Sequence, residues 1–179
     1  LEPSGAILRL TFLLPFYLTI NKNYVIGNHG AVLPYVQGGA SLVWGRMVNN
    51  GKWGVSLMRL NEKIDGGDIL SVKDVNYCPE STSMKDFVEL CDETTLSCIK
   101  ENYNNFSTID DNVPPLIKVS KKEDSYKVVK ILKFCLSNKI SVYLPPRCPE
   151  ESFLKSQWSS EFSEVFKIAN DYPYPKYQL

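Results

Sequence analysis

A chain of 179 residues with 20 Lys and Arg against 20 Asp and Glu carries no formal net charge. Its densest basic run, Lys118 to Lys133, is interrupted by Glu123 and Asp124, so the electrostatic footprint of a nucleic-acid binder is missing. Five cysteines with no C-x-x-C pair, beside one histidine, make no metal-ligand set, and reduced thiols in a cytoplasmic protein are the expectation.

The length fits one domain, or one domain with an appendage, and 44% apolar residues suffice for a packed core. The start at Leu1 rather than Met is what a fragment would give. The run AILRLTFLLPFYLTI is interrupted by Arg9 and Pro15 and is too short to span a membrane. Residues 6–14 read as a buried strand and 24–29 as a second, short one. Residues 30–38, GAVLPYVQG, read as a loop because proline and glycine break any element there. Val43, Met47 and Val48 recur at helical spacing within 39–49, and Asn49-Asn50-Gly51 ends that helix. Residues 53–60 alternate as a strand, NEKIDGGD is a loop, and DILSVKDV is another strand.

Ser81 or Ser83 then caps a long helix from about 84 to 104. Its apolar stripe is Met84, Phe87, Val88, Cys91, Thr95, Cys98 and Ile99. The order strand, strand, helix, strand, strand, helix predicts an α/β layer structure over residues 1–110. Two prolines in NVPPL break the chain, so residues 111–179 are expected to form a separate small α+β extension. In it, 125–137 look helical, SVYLPPR is a kinked strand, 150–168 is amphipathic through Phe153, Trp158, Phe162 and Phe166, and DYPYPKYQL is an extended strap.

Two loops stand at strand ends, and ligands of open α/β sheets bind outside the carboxyl ends of strands. His29, the single histidine, lies between glycines in YVIGNHGAVLP. Asp65 lies in KIDGGD. A histidine–carboxylate pair at one pocket suits proton transfer or oxyanion stabilisation. The competing reading is that Asp65 only organises an Asp-Gly turn, which composition alone favours.

Order and spacing shift that balance. The stretch HGAVLPYVQGGASLVWGRMVNNGKWGVSLMRLNEKIDGGDIL, residues 29–70, resembles the catalytic half of the folate-dependent formyltransferases, whose pattern is approximately N-x-H-x-S-L-L-P, a glycine-rich turn, a helix ending in N-G, a G-V-T strand and D-x-G-D-I. The matches are His29, Leu33-Pro34, Gly38-Gly39, Asn50-Gly51, Gly54-Val55-Ser56 and Asp65-Gly66-Gly67-Asp68-Ile69, in order. The resemblance implies a partial Rossmann-like domain and formyl-tetrahydrofolate as formyl donor. It makes His29 the electrophilic and acid–base residue, Asp65 its partner and Asn28 a further catalytic candidate. Leu33, Pro34, Gly38, Gly39, Ile64 and Gly66 are the implied folate-binding residues.

The chain departs from the pattern in three places. The family's asparagine lies two residues before the histidine, where this chain has Gly27. Asn28, one residue before, shares a face with His29 only if the strand bulges. Ala31 stands where the family often has serine, and only a short segment precedes the motif. The expected acceptor is a primary amine, and charge favours a nucleotide-linked amino sugar over tRNA. The glycinamide ribonucleotide branch is disfavoured, because its second histidine is absent from GGASLVW. Hydrolysis of formyl-tetrahydrofolate and a truncated, non-catalytic folate-binding paralogue are the alternatives.

Overall fold

The structure, a computed structural model, describes residues 25–102, 112, 114–147, 153–174 and 176–178. The strand expected at 6–14 and Cys148 lie outside these residues.

Strand β1 (Ile26–His29) leads to a turn and then to β2 (Val36–Gly38), helix α1 (Ser41–Val48), β3 (Lys52–Arg59) and β4 (Ile69–Asn76). Helix α2 (Met84–Asn102) follows, then β5 (Ile117–Lys118), α3 (Ser125–Asn138), β6 (Val142–Leu144) and α4 (Ser160–Ala169). One sheet has the order β1-β3-β4 with antiparallel pairs, and the second has the order β2-β6-β5 with parallel pairs. The result is a mixed α/β fold, in line with the expected class.

Burial explains these choices. β3 is the middle strand of its sheet, so Trp53 to Met58 are buried on both faces rather than on alternate ones. Helix α2 lays Met84, Phe87, Val88, Cys91, Thr95 and Cys98 against β3 and β4, the stripe that its periodicity predicts. Ser83, not Ser81, caps it. The Ser83 hydroxyl oxygen accepts from the Asp86 N–H at 3.1 Å, while Asp86 Oδ2 accepts from the Ser83 hydroxyl at 2.7 Å. Ser83→Ala is therefore expected to cost about 1 kcal/mol in chemical denaturation, and Ser81→Ala nothing measurable. Equal losses would refute this assignment.

Two expectations need correction. Residues 30–38 are not all loop. Val36, Gln37 and Gly38 form a strand because β6 offers parallel backbone partners, with Val36 opposite Val142 and Gly38 opposite Leu144. The division near residue 110 is not a division of the core. β5, α3 and β6 make a β-α-β unit whose second strand hydrogen-bonds to β2, and Val128, Leu132, Val142 and Phe166 share one apolar cluster with Val36, Trp44 and Phe87. The prolines interrupt the backbone without separating two cores. Side chains reinforce the join: Trp44 Nε1 donates to the Pro145 carbonyl at 3.0 Å, and the Arg147 guanidinium lies over the Trp44 and Phe166 rings.

The last helix is shorter than expected and begins at Ser160, where the Ser159 side chain accepts from the Phe162 N–H. Phe153 is 42% exposed and bridges to Gln178 of the tail instead of joining the helical stripe.

Candidate active site

His29 ends β1, and the turn that follows it is pinned from β3. Trp53 Nε1 donates to the Gly30 carbonyl at 2.7 Å. Ser56, opposite His29 in the antiparallel register, donates from its hydroxyl to the Ala31 carbonyl at 2.7 Å and accepts from the Leu33 N–H at 2.9 Å. Small and apolar residues between β1 and β2 therefore sit on a scaffold of buried β3 side chains. The turn delivers β2 beside the imidazole.

The His29 ring spans the two sheets. Its Nε2 is 2.9 Å from the Val36 carbonyl oxygen in β2, and its Nδ1 is 3.4 Å from Asp65 Oδ1. A carbonyl only accepts, so Nε2 carries a proton and donates. Nδ1 faces a carboxylate oxygen at ion-pair distance. Two acceptors thus flank one ring. His29 is 7% exposed and Asp65 11%. The histidine is a buried cross-sheet link.

Asp65 comes from the β3–β4 loop with a left-handed backbone, φ 51°. Its second carboxylate oxygen accepts from the Gly38 N–H at 2.7 Å. Its own carbonyl accepts from the Asn112 side-chain amide, and Asn112 Oδ1 accepts from Gln37 Nε2 at 2.9 Å. The carboxylate is therefore aimed from two sides: by the end of β2 through Gly38, and by an amide relay that grips the backbone. Asn112 and Gln37 escape the sequence reading. They meet across a long stretch of chain, and no periodicity or motif marks either.

Of the expected catalytic residues, His29 and Asp65 are brought together and Asn28 is not. β1 pairs with β3 in unbroken register from Ile26–Arg59 to His29–Ser56, so no bulge re-aims Asn28. Asn28 is exposed while His29 is buried, as alternation along a regular strand requires. Asn28→Ala is expected to leave any activity within about twofold, as for other surface changes. A severe loss in steady-state rate would contradict this placement. Gly27 faces the same way as His29, but a Cβ there would meet Leu60 Cδ2 at 2.5 Å. An asparagine at 27 must therefore displace Leu60.

The expected folate-binding residues divide in two. Ile64 and Gly66 line a cleft of about 240 Å³ that opens directly beside Asp65. Gln37, Asn112, Pro114, Pro115 and Tyr143 belong to the same cleft. The other four serve packing. Leu33 is buried with Met58 and Ile69, and the Pro34 carbonyl accepts from the Ser141 hydroxyl at 2.7 Å. Gly38 and Gly39 lie against Leu144 and Pro146. Burial, and secondarily the charge of Asp65, push the Tyr143 phenol pKa up, so it remains an O–H donor at neutral pH.

Among the described residues no cluster of three or more His, Cys, Asp or Glu side chains forms a candidate metal site, and no helix is long and apolar enough to cross a membrane.

No protein-family model and no curated protein sequence matches the chain. Solved structures do match its fold. Methionyl-tRNA formyltransferase from Clostridium thermocellum aligns with a TM-score of 0.62 at 17% identity, over 86% of this chain and 56% of that protein. WlaRD, a sugar 3N-formyl transferase solved in the presence of dTDP and 5-N-formyl-THF, aligns with 0.57 at 16% identity, over 84% of this chain and 49% of the other. HypX from Aquifex aeolicus in complex with tetrahydrofolic acid aligns with 0.55 at 15% identity, over 85% of this chain and 23% of that one. The chain therefore spans between about a quarter and just over half of these proteins. At such identities the likeness is one of fold, and that fold is the one formyltransferases use.

Proposed function

We propose that this chain carries the His–Asp centre of a formyl-tetrahydrofolate-dependent transferase that moves a formyl group to a primary amine. The observation that carries the reading is the His29 imidazole held against the Asp65 carboxylate at the junction of the two sheets. The fold and the order of the sequence motifs are consistent with it. The surroundings suit such a donor. Ile64, Pro114, Pro115 and the Tyr143 ring offer apolar walls for a flat heterocycle, and Gln37 and Asn112 offer amide groups at its edge.

A bound formyl-tetrahydrofolate would supply the carbonyl carbon that an amine attacks; as the new C–N bond forms the bond to the folate nitrogen breaks, and the released tetrahydrofolate nitrogen takes up the proton that the amine gives up. His29 supplies N–H donors, which stabilise negative charge growing on an oxygen. Asp65 holds the ring through Nδ1, keeps it protonated during attack and takes part in removing the amine proton. Nε2 now donates to the Val36 carbonyl, so catalysis requires exchange of that bond for one to the reacting oxygen. The acceptor we favour is a nucleotide-linked amino sugar, because a neutral chain lacks the clustered cations that tRNA demands.

A second reading has its own support. Nε2 is engaged by Val36, Gly27 stands where the family's amide belongs, and Asn28 points outward. These features favour a paralogue that binds folate without turnover. Incubating the chain with formyl-tetrahydrofolate and a dTDP-linked amino sugar separates the two. The expected result is formylated amine by mass spectrometry, dependent on both substrates. Free formate without amine means hydrolysis. Folate binding with neither product means the non-catalytic reading is correct.

A further inference from the structure

Strand β2 meets the His29–Asp65 pair with each of its three residues. The Val36 carbonyl accepts from His29 Nε2 at 2.9 Å, and the Gly38 N–H donates to Asp65 Oδ2 at 2.7 Å. Gln37, between them, works through its side chain. It is buried, and its Nε2 donates to Asn112 Oδ1 at 2.9 Å. The Asn112 amide in turn donates to the Asp65 backbone carbonyl. The two amides therefore form one directed chain from β2 to the backbone that carries the carboxylate. That backbone needs a hold. Asp65 has φ 51°, a left-handed conformation that a residue other than glycine keeps only where its surroundings fix it. β2 is itself fixed from far along the chain, since Gln37 lies opposite Tyr143 in the parallel pairing with β6.

We infer that Gln37 and Asn112 are positioning residues for the His29–Asp65 pair, acting through the Asp65 backbone to aim its carboxylate at Nδ1. The Gly38 N–H holds Oδ2 alone and so acts as a pivot. Where Oδ1 then stands, 3.4 Å from Nδ1, depends on where the Asp65 backbone stands, and the Asn112 amide holds that backbone. The length of the relay is matched to its span: two methylenes in Gln37 and one in Asn112 bridge β2 to the Asp65 carbonyl. The bearing on turnover rests on the formyl-transfer reading; the aim of Asp65 is a property of the chain itself.

Exchanging the two amides in the whole chain tests this. Gln37→Asn shortens the relay by one methylene and Asn112→Gln lengthens it by one, so each single variant breaks the spacing and the double variant restores it. The first readout is the ¹⁵N signals of the His29 ring, the only imidazole in the chain, which need no turnover. Each single variant is expected to move the Nδ1 signal, because Asp65 Oδ1 is displaced, and the double variant to bring it back. The second readout is steady-state formylation of an amine. Each single variant is expected to lower kcat about tenfold, the effect of one lost hydrogen bond, and the double variant to recover most of it. Parental His29 signals in both single variants overturn the inference. So does a raised KM with parental kcat and parental ring signals, which makes the amides ligand contacts in the cleft they line. A double variant no better than the single ones shows that the amides act apart, and overturns it too. A parent that forms no formylated amine rejects formyl transfer, and the ring signals then decide the relay alone. Where circular dichroism shows that a single variant does not fold, the parent's own spectrum decides. Asn112 side-chain amide protons protected from solvent exchange support the relay, and freely exchanging ones overturn it.

Discussion

Asp65→Asn is expected to lower formyl transfer by about 10²–10⁴-fold while the fold survives, the usual range for removing a positioned acid–base group. An amide oxygen can still accept from the Gly38 N–H, which Asp65 Oδ2 does at 2.7 Å. What it cannot supply is negative charge 3.4 Å from His29 Nδ1. The ring then loses its carboxylate partner at Nδ1. His29→Ala should abolish activity to a similar degree and also destabilise the protein by about 1–3 kcal/mol, because it leaves the buried Val36 carbonyl without its donor. The pair of variants separates chemistry from structure. If Asp65→Asn retains parental kcat/KM, the carboxylate belongs to the turn and not to the reaction.

Gly38→Ala is expected to be the most damaging single-methyl change near the site, at about 3 kcal/mol or more. Gly38 has φ +104°, a conformation that side chains rarely adopt, and an added Cβ would fall 2.1 Å from the Leu144 carbonyl oxygen of the paired strand. Backbone cannot step aside as a side-chain tip can. Relief requires that β2 part from β6, which also withdraws the N–H that aims Asp65. Gly39→Ala is the control, since its Cβ would meet Pro146 atoms at a milder 3.0 Å. Thermal unfolding should rank Gly38→Ala well below Gly39→Ala and the parent. A Gly38→Ala variant as stable as the parent would show that the β2–β6 junction tolerates movement and that its hold on Asp65 is loose.

Long and periodic elements were the legible part of this fold. Helix α2 repeats its apolar stripe over about four turns, and β3 and β4 are long enough for β-rich runs to outweigh local turn residues. β2 was not legible. It is three residues long, it follows Leu33-Pro34, and its reason for being extended lies in β6, far along the chain. The same pairing dissolves the expected boundary near residue 110, because broken backbone and divided core are different things. The closeness of His29 and Asp65 was legible from the order of the motifs, and Nδ1 lies 3.4 Å from Asp65 Oδ1. The outward direction of Asn28 followed from strand alternation alone. The Gln37–Asn112 relay could not be read, since amide groups that meet between a short strand and a distant segment carry no local signal.

His29 is the only histidine in the chain, so its imidazole gives one unambiguous set of ring signals in a long-range ¹H–¹⁵N spectrum. Titration with 5-formyl-tetrahydrofolate therefore reports on the proposed reacting group, independently of turnover or of any mutation. If Nε2 exchanges the Val36 carbonyl for the ligand, both ring nitrogens are expected to shift in a saturable manner, and Asp65→Asn should alter the bound-state shifts. Saturating ligand that leaves the His29 signals where they were would place any folate site elsewhere and contradict the assignment of this pair to formyl transfer.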